Sequence, residues 1–140
     1  MKKILALLTV LTALSIFTGC SSTKEIPTDL TCAQLFQKGQ NAYSNGYYDT
    51  AEQYYLTAII RYGTDTQNYI EGRYELGHLY IKTKKYKKAF DNLMEVIDIF
   101  DGTPAGVLQG SYKKLANIEL KKIPEAKLKE FQAARNKAAN

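Results

Sequence analysis

Arg73-Tyr74-Glu75-Leu76-Gly77, followed by Tyr80, Tyr86, Ala89, Leu93 and Val96, decides the fold, because an earlier stretch repeats it. Leu35-Phe36-Gln37-Lys38-Gly39, then Gly46-Tyr47-Tyr48, Ala51, Tyr55 and Ala58, aligns with it without a gap. The offset is 38 residues, pairing Gly39 with Gly77, Tyr48 with Tyr86, Ala51 with Ala89 and Tyr55 with Leu93. A period of this size marks an array of stacked helices. Gly39 and Gly77 fall inside helical patterns, where glycine costs about 1 kcal/mol relative to alanine. Close approach of a neighbouring helix would offset that cost, with Ala51 and Ala89 supplying the matching small surface. Tyr55/Leu93 and Ala58/Val96 continue the apolar face at i+4 and i+7. Each repeat therefore reads as two antiparallel helices, with Tyr48, Tyr55, Tyr80 and Tyr86 as scaffold.

Local signals agree. Thr31-Cys32-Ala33-Gln34 is a capping box, with Leu30 and Leu35 spaced as a hydrophobic staple, and Asn45-Gly46 stops the helix it opens. Asp49-Thr50-Ala51-Glu52 reads as a second capping box, and Gly63 closes the helix that follows. Thr103-Pro104 places a cap before a proline at the first helical position, and Pro124 opens the last helix. A third half-repeat then spans Thr103 to Leu120, with Leu115-Ala116 in place of Leu-Gly. No segment shows a sustained strand period, so the fold class is all-α: about two and a half repeats. Residues Glu125 to Asn140, whose apolar stripe is Ala126, Leu128, Phe131 and Ala134, read as a C-terminal capping helix, because a short array must cover its end. An amphipathic helix reaching for membrane or partner is the competing reading of that segment.

The pattern Leu76-Gly77, Tyr80 and Ala89, with Leu93 four residues on, resembles the tetratricopeptide repeat. The first repeat keeps Gly39, Tyr48, Ala51, Tyr55 and Ala58, and the longer step falls at Gly63 to Asn68. Steps of that length are known in tetratricopeptide lipoproteins of envelope assembly. Such arrays line a concave groove with the first helix of each pair. The resemblance implies groove positions Phe36, Gln40 and Tyr43, then Tyr74, His78, Ile81 and Lys82, then Lys113, Asn117 and Lys121. Aromatic rings beside polar and basic groups suit a peptide segment, because rings supply contact area at low entropic cost. Lys113 and Asn117 match half of the carboxylate clamp of chaperone-binding repeats; the other half is missing, so no clamp is expected.

The first twenty residues read as an address. Lys2-Lys3 precedes an apolar run from Ile4 to Phe17, too short for a bilayer span of about 20 residues and suited to a secretory signal. Phe17-Thr18-Gly19-Cys20 resembles the bacterial lipoprotein signal, which implies cleavage after residue 19 and a lipid on Cys20. Acyl chains, at about 0.8 kcal/mol per buried CH₂, would hold the mature chain at a membrane. An ordinary cleaved signal with an incidental cysteine is the alternative. Residues 20–30 then read as a lipidated, flexible tether, and 31–140 as the helical domain. Ser21-Ser22 lacks the aspartate that retains enteric lipoproteins at the inner membrane, which favours the outer membrane.

Composition excludes much else. The 140 residues are 45% apolar, enough for one packed domain. Two cysteines are too few for a disulfide scaffold or a four-cysteine zinc module, and one histidine excludes the two-histidine zinc motifs. No metal or cofactor beyond the lipid is expected. Residues 20–81 hold 4 basic against 7 acidic side chains and residues 82–140 hold 13 against 7, so a basic C-terminal half could meet an acidic partner or headgroups. The five lysines between Lys82 and Lys88 sit at the turn between two helices. An exported protein meets little nucleic acid. The one nucleophile pair, Cys32 and His78, is separated by roughly 12 Å along neighbouring helix axes at 1.5 Å per residue, so no enzyme is expected. Glu71 and Glu75 read as ordinary surface. The first functional reading is a non-enzymatic adaptor for another envelope protein. The second is a lipoprotein that delivers a small solute to a transporter.

Overall fold

The computed structural model describes residues 25–108 and 110–138. The signal segment, Cys20 and the first part of the tether lie outside the described residues. Six helices follow one another: α1 (Cys32–Ser44), α2 (Tyr48–Tyr62), α3 (Thr66–Lys82), α4 (Tyr86–Asp101), α5 (Tyr112–Leu120) and α6 (Glu125–Ala138). Among the described residues there is no strand. α1 pairs with α2 and α3 with α4. The pairs stack through α2 against α3, and α5 closes onto both α3 and α4. The first helices α1, α3 and α5 thus lie side by side and form one inner face.

The two glycines explain the pairing. A Cβ on Gly39 would lie 2.8 Å from a ring carbon of Tyr55, and one on Gly77 would lie 2.6 Å from Leu93 Cγ. Tyr55 and Leu93 are themselves fully buried. The close approach expected at both glycines is therefore present. Its partner, however, is the large side chain four residues beyond Ala51 or Ala89, not the alanine. Both alanines are fully buried next to that contact, where a larger residue would push the helices apart. The core continues through Leu35, Ala58, Ile70, Leu76, Leu79, Phe90 and Val96.

The turn inside each pair is also repeated. Gly46 and Lys84, 38 residues apart, both adopt positive φ, 79° and 59°. The Gly46 N–H donates to Tyr43 O and that of Tyr47 to Ala42 O; Lys84 and Lys85 donate likewise to Ile81 O and Tyr80 O. This is the Schellman closure of a helix end. A lysine in the left-handed region is unfavourable by roughly 1–2 kcal/mol, and its charge lies beside the mouth of the inner face.

Several local expectations are corrected. Thr31 does form its capping box with Gln34, and Asn45 and Gly63 terminate α1 and α2. The Asp49–Glu52 box does not form: α2 already starts at Tyr48 because the Schellman turn delivers the chain in helical register. Glu52 instead accepts from the Tyr80 hydroxyl (2.6 Å) and Lys85 (3.2 Å), joining α2 to the α3–α4 turn. Thr103 does not cap a helix either. Its hydroxyl donates back to Ile99 O, Gly106 and Gly110 take positive φ, and α5 begins only at Tyr112. Nor are residues 26–30 a loose tether. Arg61 donates to Pro27 O (2.6 Å) and Ile26 O (3.0 Å), and Tyr62 donates to Leu30 O (2.6 Å), strapping them onto the end of α2. α6 lies along α4 through Phe131 on Phe90, rings 5.7 Å apart, and the Arg135–Asp98 pair at 2.6 Å.

Gly77→Ala tests the interlock. Overpacking costs about 1–3 kcal/mol and exceeds the helix-propensity gain of up to about 1 kcal/mol, so urea denaturation is expected to show a net loss of about 1–2 kcal/mol. In the Leu93→Ala background that loss is expected to shrink by at least about 0.5 kcal/mol. Additive losses would place the contact elsewhere.

Candidate functional site

The inner face is built on one stripe of α3. Glu71, Glu75, His78 and Lys82 recur at helical spacing and so share that stripe, with Tyr74 beside them. α1 contributes Tyr43 and Gln40, and α5 contributes Tyr112 and Glu119. Their rings form a continuous row. Tyr112 lies 5.4 Å from Tyr74, Tyr74 stacks on His78 at 6.2 Å, and His78 lies 5.1 Å from Tyr43. Tyr48 ends the row, edge-on to Tyr43 at 5.7 Å. Gln40 Nε2 donates to Glu75 Oε1 across 3.0 Å, tying α1 to α3. Beyond His78 the face deepens into a cleft of about 320 Å³ lined by Tyr43, His78, Ile81, Lys82, Tyr86 and Glu119, among others.

Glu119 is the unusual member. Its side chain is only 6% exposed. Oε1 lies 2.6 Å from Lys122 Nζ and 3.1 Å from His78 Nδ1, whereas buried Oε2 has no hydrogen-bond partner. An unmet buried acceptor of this kind costs about 1–3 kcal/mol, more when charged. The phenols around it are weak acids here. Burial pushes Tyr43 up, with Tyr48, Glu119 and Glu75 adding to the effect, and burial with Glu119 and Glu75 pushes up Tyr74. Tyr112 is pushed up to about 12 by burial, Glu71 and Glu75. All three remain neutral hydrogen-bonding rings at neutral pH.

The positions expected to line the groove divide. Gln40, Tyr43, Tyr74, His78, Ile81 and Lys82 come together on the inner face. Phe36 does not: it is 4% exposed and packs toward Tyr55 at 6.4 Å, because α3 closes over it through Gly72. It is a core residue. Lys113 is drawn to Asp101 at the end of α4, Asn117 Nδ2 donates to its own helix at Lys113 O, and exposed Lys121 caps α5. Tyr112 and Glu119 take their place: seven residues apart, they share the side of α5 that meets Tyr74 and His78 on α3. Glu71 and Glu75, read from sequence as ordinary surface, also belong to the α3 stripe; their spacing to His78 and Lys82 was the signal for it. Cys32 sits at the opposite end of the face from His78. Its thiol is pushed up by burial, Glu71 and Asp65, so it is a poor nucleophile.

The arrangement offers rings, acceptors and cations along an open surface, the equipment of a recognition face. Residues 70–101, most of α3 and all of α4, match the tetratricopeptide repeat. The fold is that of a tetratricopeptide-like array of helix pairs. The chain is also 28% identical over 108 residues to an uncharacterized protein of Treponema pallidum (strain Nichols), an alignment covering 75% of this chain. It covers 43% of that relative, so the chain spans less than half of the relative's length. No solved structure matches the chain.

Glu71 shows the cost of the face. Burial, then the Glu75 charge one turn away, raises its pKa above the ordinary glutamate value. A raised carboxylate contributes stability only while protonated, and that contribution is lost as pH rises from the unfolded value, about 4.3, through the folded one. Glu71→Gln is therefore expected to stabilise the chain in urea at about pH 7 and to leave it unchanged at about pH 3, below both values. A variant less stable at neutral pH would contradict the assignment.

Proposed function

We propose that this chain is a lipid-anchored, non-enzymatic adaptor of the bacterial cell envelope that receives a segment of another envelope protein on its inner face. The observation that carries the reading is the row Tyr112–Tyr74–His78–Tyr43, which spans all three first helices. Tetratricopeptide repeats generally serve as protein-interaction modules, and aromatic rings on a pre-ordered helical face are effective anchors. Among the described residues no helix is long and apolar enough to cross a membrane. Attachment would come from the lipid on Cys20. Residues 26–30, strapped to α2, lie off the row itself. The outer membrane is the favoured site.

Delivery of a small solute is the second reading, supported by the cleft between Tyr43, His78 and Glu119. Its volume lies at the lower end of the range typical of ligand sites, about 300–1,000 Å³.

Photo-crosslinking in intact cells separates the two. A crosslinking residue at Tyr74 is expected to yield one discrete, stoichiometric protein adduct, whereas one at the outward Ile60 yields none. Cys20→Ala is expected to release the chain from membranes and to abolish the Tyr74 adduct. A solute retained through purification, with no adduct from position 74, would support the carrier and overturn the adaptor.

A further inference from the structure

The inner face is electrically polarised along α3. At one end stand Glu71 and Glu75; at the other, seven to thirteen residues on, stand Lys82 and Lys84, with Lys122 from the segment after α5. Several charged side chains on the helices' outer faces pair with one another, as in Arg73–Glu95, Lys87–Asp91 and Arg135–Asp98. On the inner face Glu71, Lys82 and Lys84 have no ion-pair partner among the described residues. Between the two ends lie the rings of Tyr74, His78 and Tyr43, and Glu119, whose buried Oε2 still lacks a donor.

Resting on the adaptor reading, we infer that the partner segment is itself bipolar: an extended peptide with a basic side chain at Glu71 and Glu75 and an acidic one at Lys82 and Lys84. Glu71 to Lys82 is eleven residues on one helical stripe, about 16 Å at 1.5 Å per residue. An extended chain rises about 3.3 Å per residue, so the two charges in the partner stand about five residues apart. The basic group gains two carboxylates and the faces of Tyr74 and Tyr112, a setting that suits a guanidinium over an aromatic ring. The acidic group meets two unpaired ammonium groups. A backbone N–H of the segment, or a neutral hydroxyl or amide side chain, supplies the donor that Glu119 Oε2 lacks; Lys122 already balances that carboxylate, so no further cation is needed there. Peptides of uniform charge are repelled at one end. Such opposition gives specificity as well as attraction.

The test uses the full mature chain and synthetic nine-residue peptides carrying one Arg and one Asp, with four residues between them. Binding is read by fluorescence polarisation against peptides in which the two charges are adjacent, both acidic or both basic. The spaced bipolar peptides are expected to bind at least about five-fold more tightly than the others. Arg→Ala in the peptide is expected to cost about five-fold against the native chain and nothing against Glu71→Gln/Glu75→Gln. Against Lys82→Gln/Lys84→Gln it should still cost about five-fold, a coupling that only direct contact produces. Far-UV circular dichroism verifies that both double variants fold. Binding that ignores charge spacing, or an Arg effect that persists in the glutamine double variant, overturns the proposal. If the Tyr74 crosslink in cells persists while these peptides fail, the bipolar assignment falls and the adaptor reading stands. If both fail, both fall.

Discussion

Each helix pair closes because a large side chain on its second helix occupies the space where its first helix has no Cβ. Tyr55 over Gly39 and Leu93 over Gly77 are the same contact made twice, 38 residues apart. The glycines give up helix propensity and the fold recovers it as burial, since a fully buried large apolar side chain contributes about 1.5–3 kcal/mol. Repetition of the contact sets the repetition of everything else. The turn at Gly46 and Lys84 has one geometry because the helices it joins approach in one way. Stacking the pairs then leaves α1, α3 and α5 abreast, and their exposed sides become a single surface.

That surface carries groups the core would have rejected. Glu71 is held partly out of water beside a like charge, and Glu119 keeps a buried oxygen without a donor. Lys84 adopts a backbone conformation that its side chain disfavours. Each works against stability, and all three border the same face. On the outer seams Glu52 gathers Tyr80, Lys85 and Lys88, and Arg73 gathers Tyr69, Asn92 and Glu95, while Arg73 Nε and Arg135 Nη1 are buried without a hydrogen-bond partner. Two of the four buried side-chain polar atoms that lack a hydrogen-bond partner among the described residues, His78 Nδ1 and Glu119 Oε2, lie on this face, where a second molecule could complete them.

The fold was legible because its governing contact is written twice at a fixed period, and the small and large residues it needs are unmistakable. The site was legible only in part. Tyr43, Tyr74 and His78 stood out as aromatics at groove register, and the structure brings them together. Phe36 shared that register but is buried by the approach of α3 at Gly72, a tertiary effect that a one-repeat pattern does not contain. Tyr112 and Glu119 were hidden in the third repeat: the register carried over from Leu115-Ala116 pointed to Lys113 and Asn117, whereas the side of α5 that packs on α3 carries Tyr112 and Glu119. The strap over α2 was hidden for a similar reason, since Arg61 and Tyr62 lie more than thirty residues from the carbonyls they hold.

The inner face is proposed as the surface a partner covers. Hydrogen–deuterium exchange of the full chain in native membranes, compared with the purified chain, tests it most directly. Slower exchange confined to 40–43, 71–82 and 112–119 is the expected result, because these segments carry the ring row and its charged ends. Protection confined to α2 and α4, with those segments exchanging as in the purified chain, would contradict it.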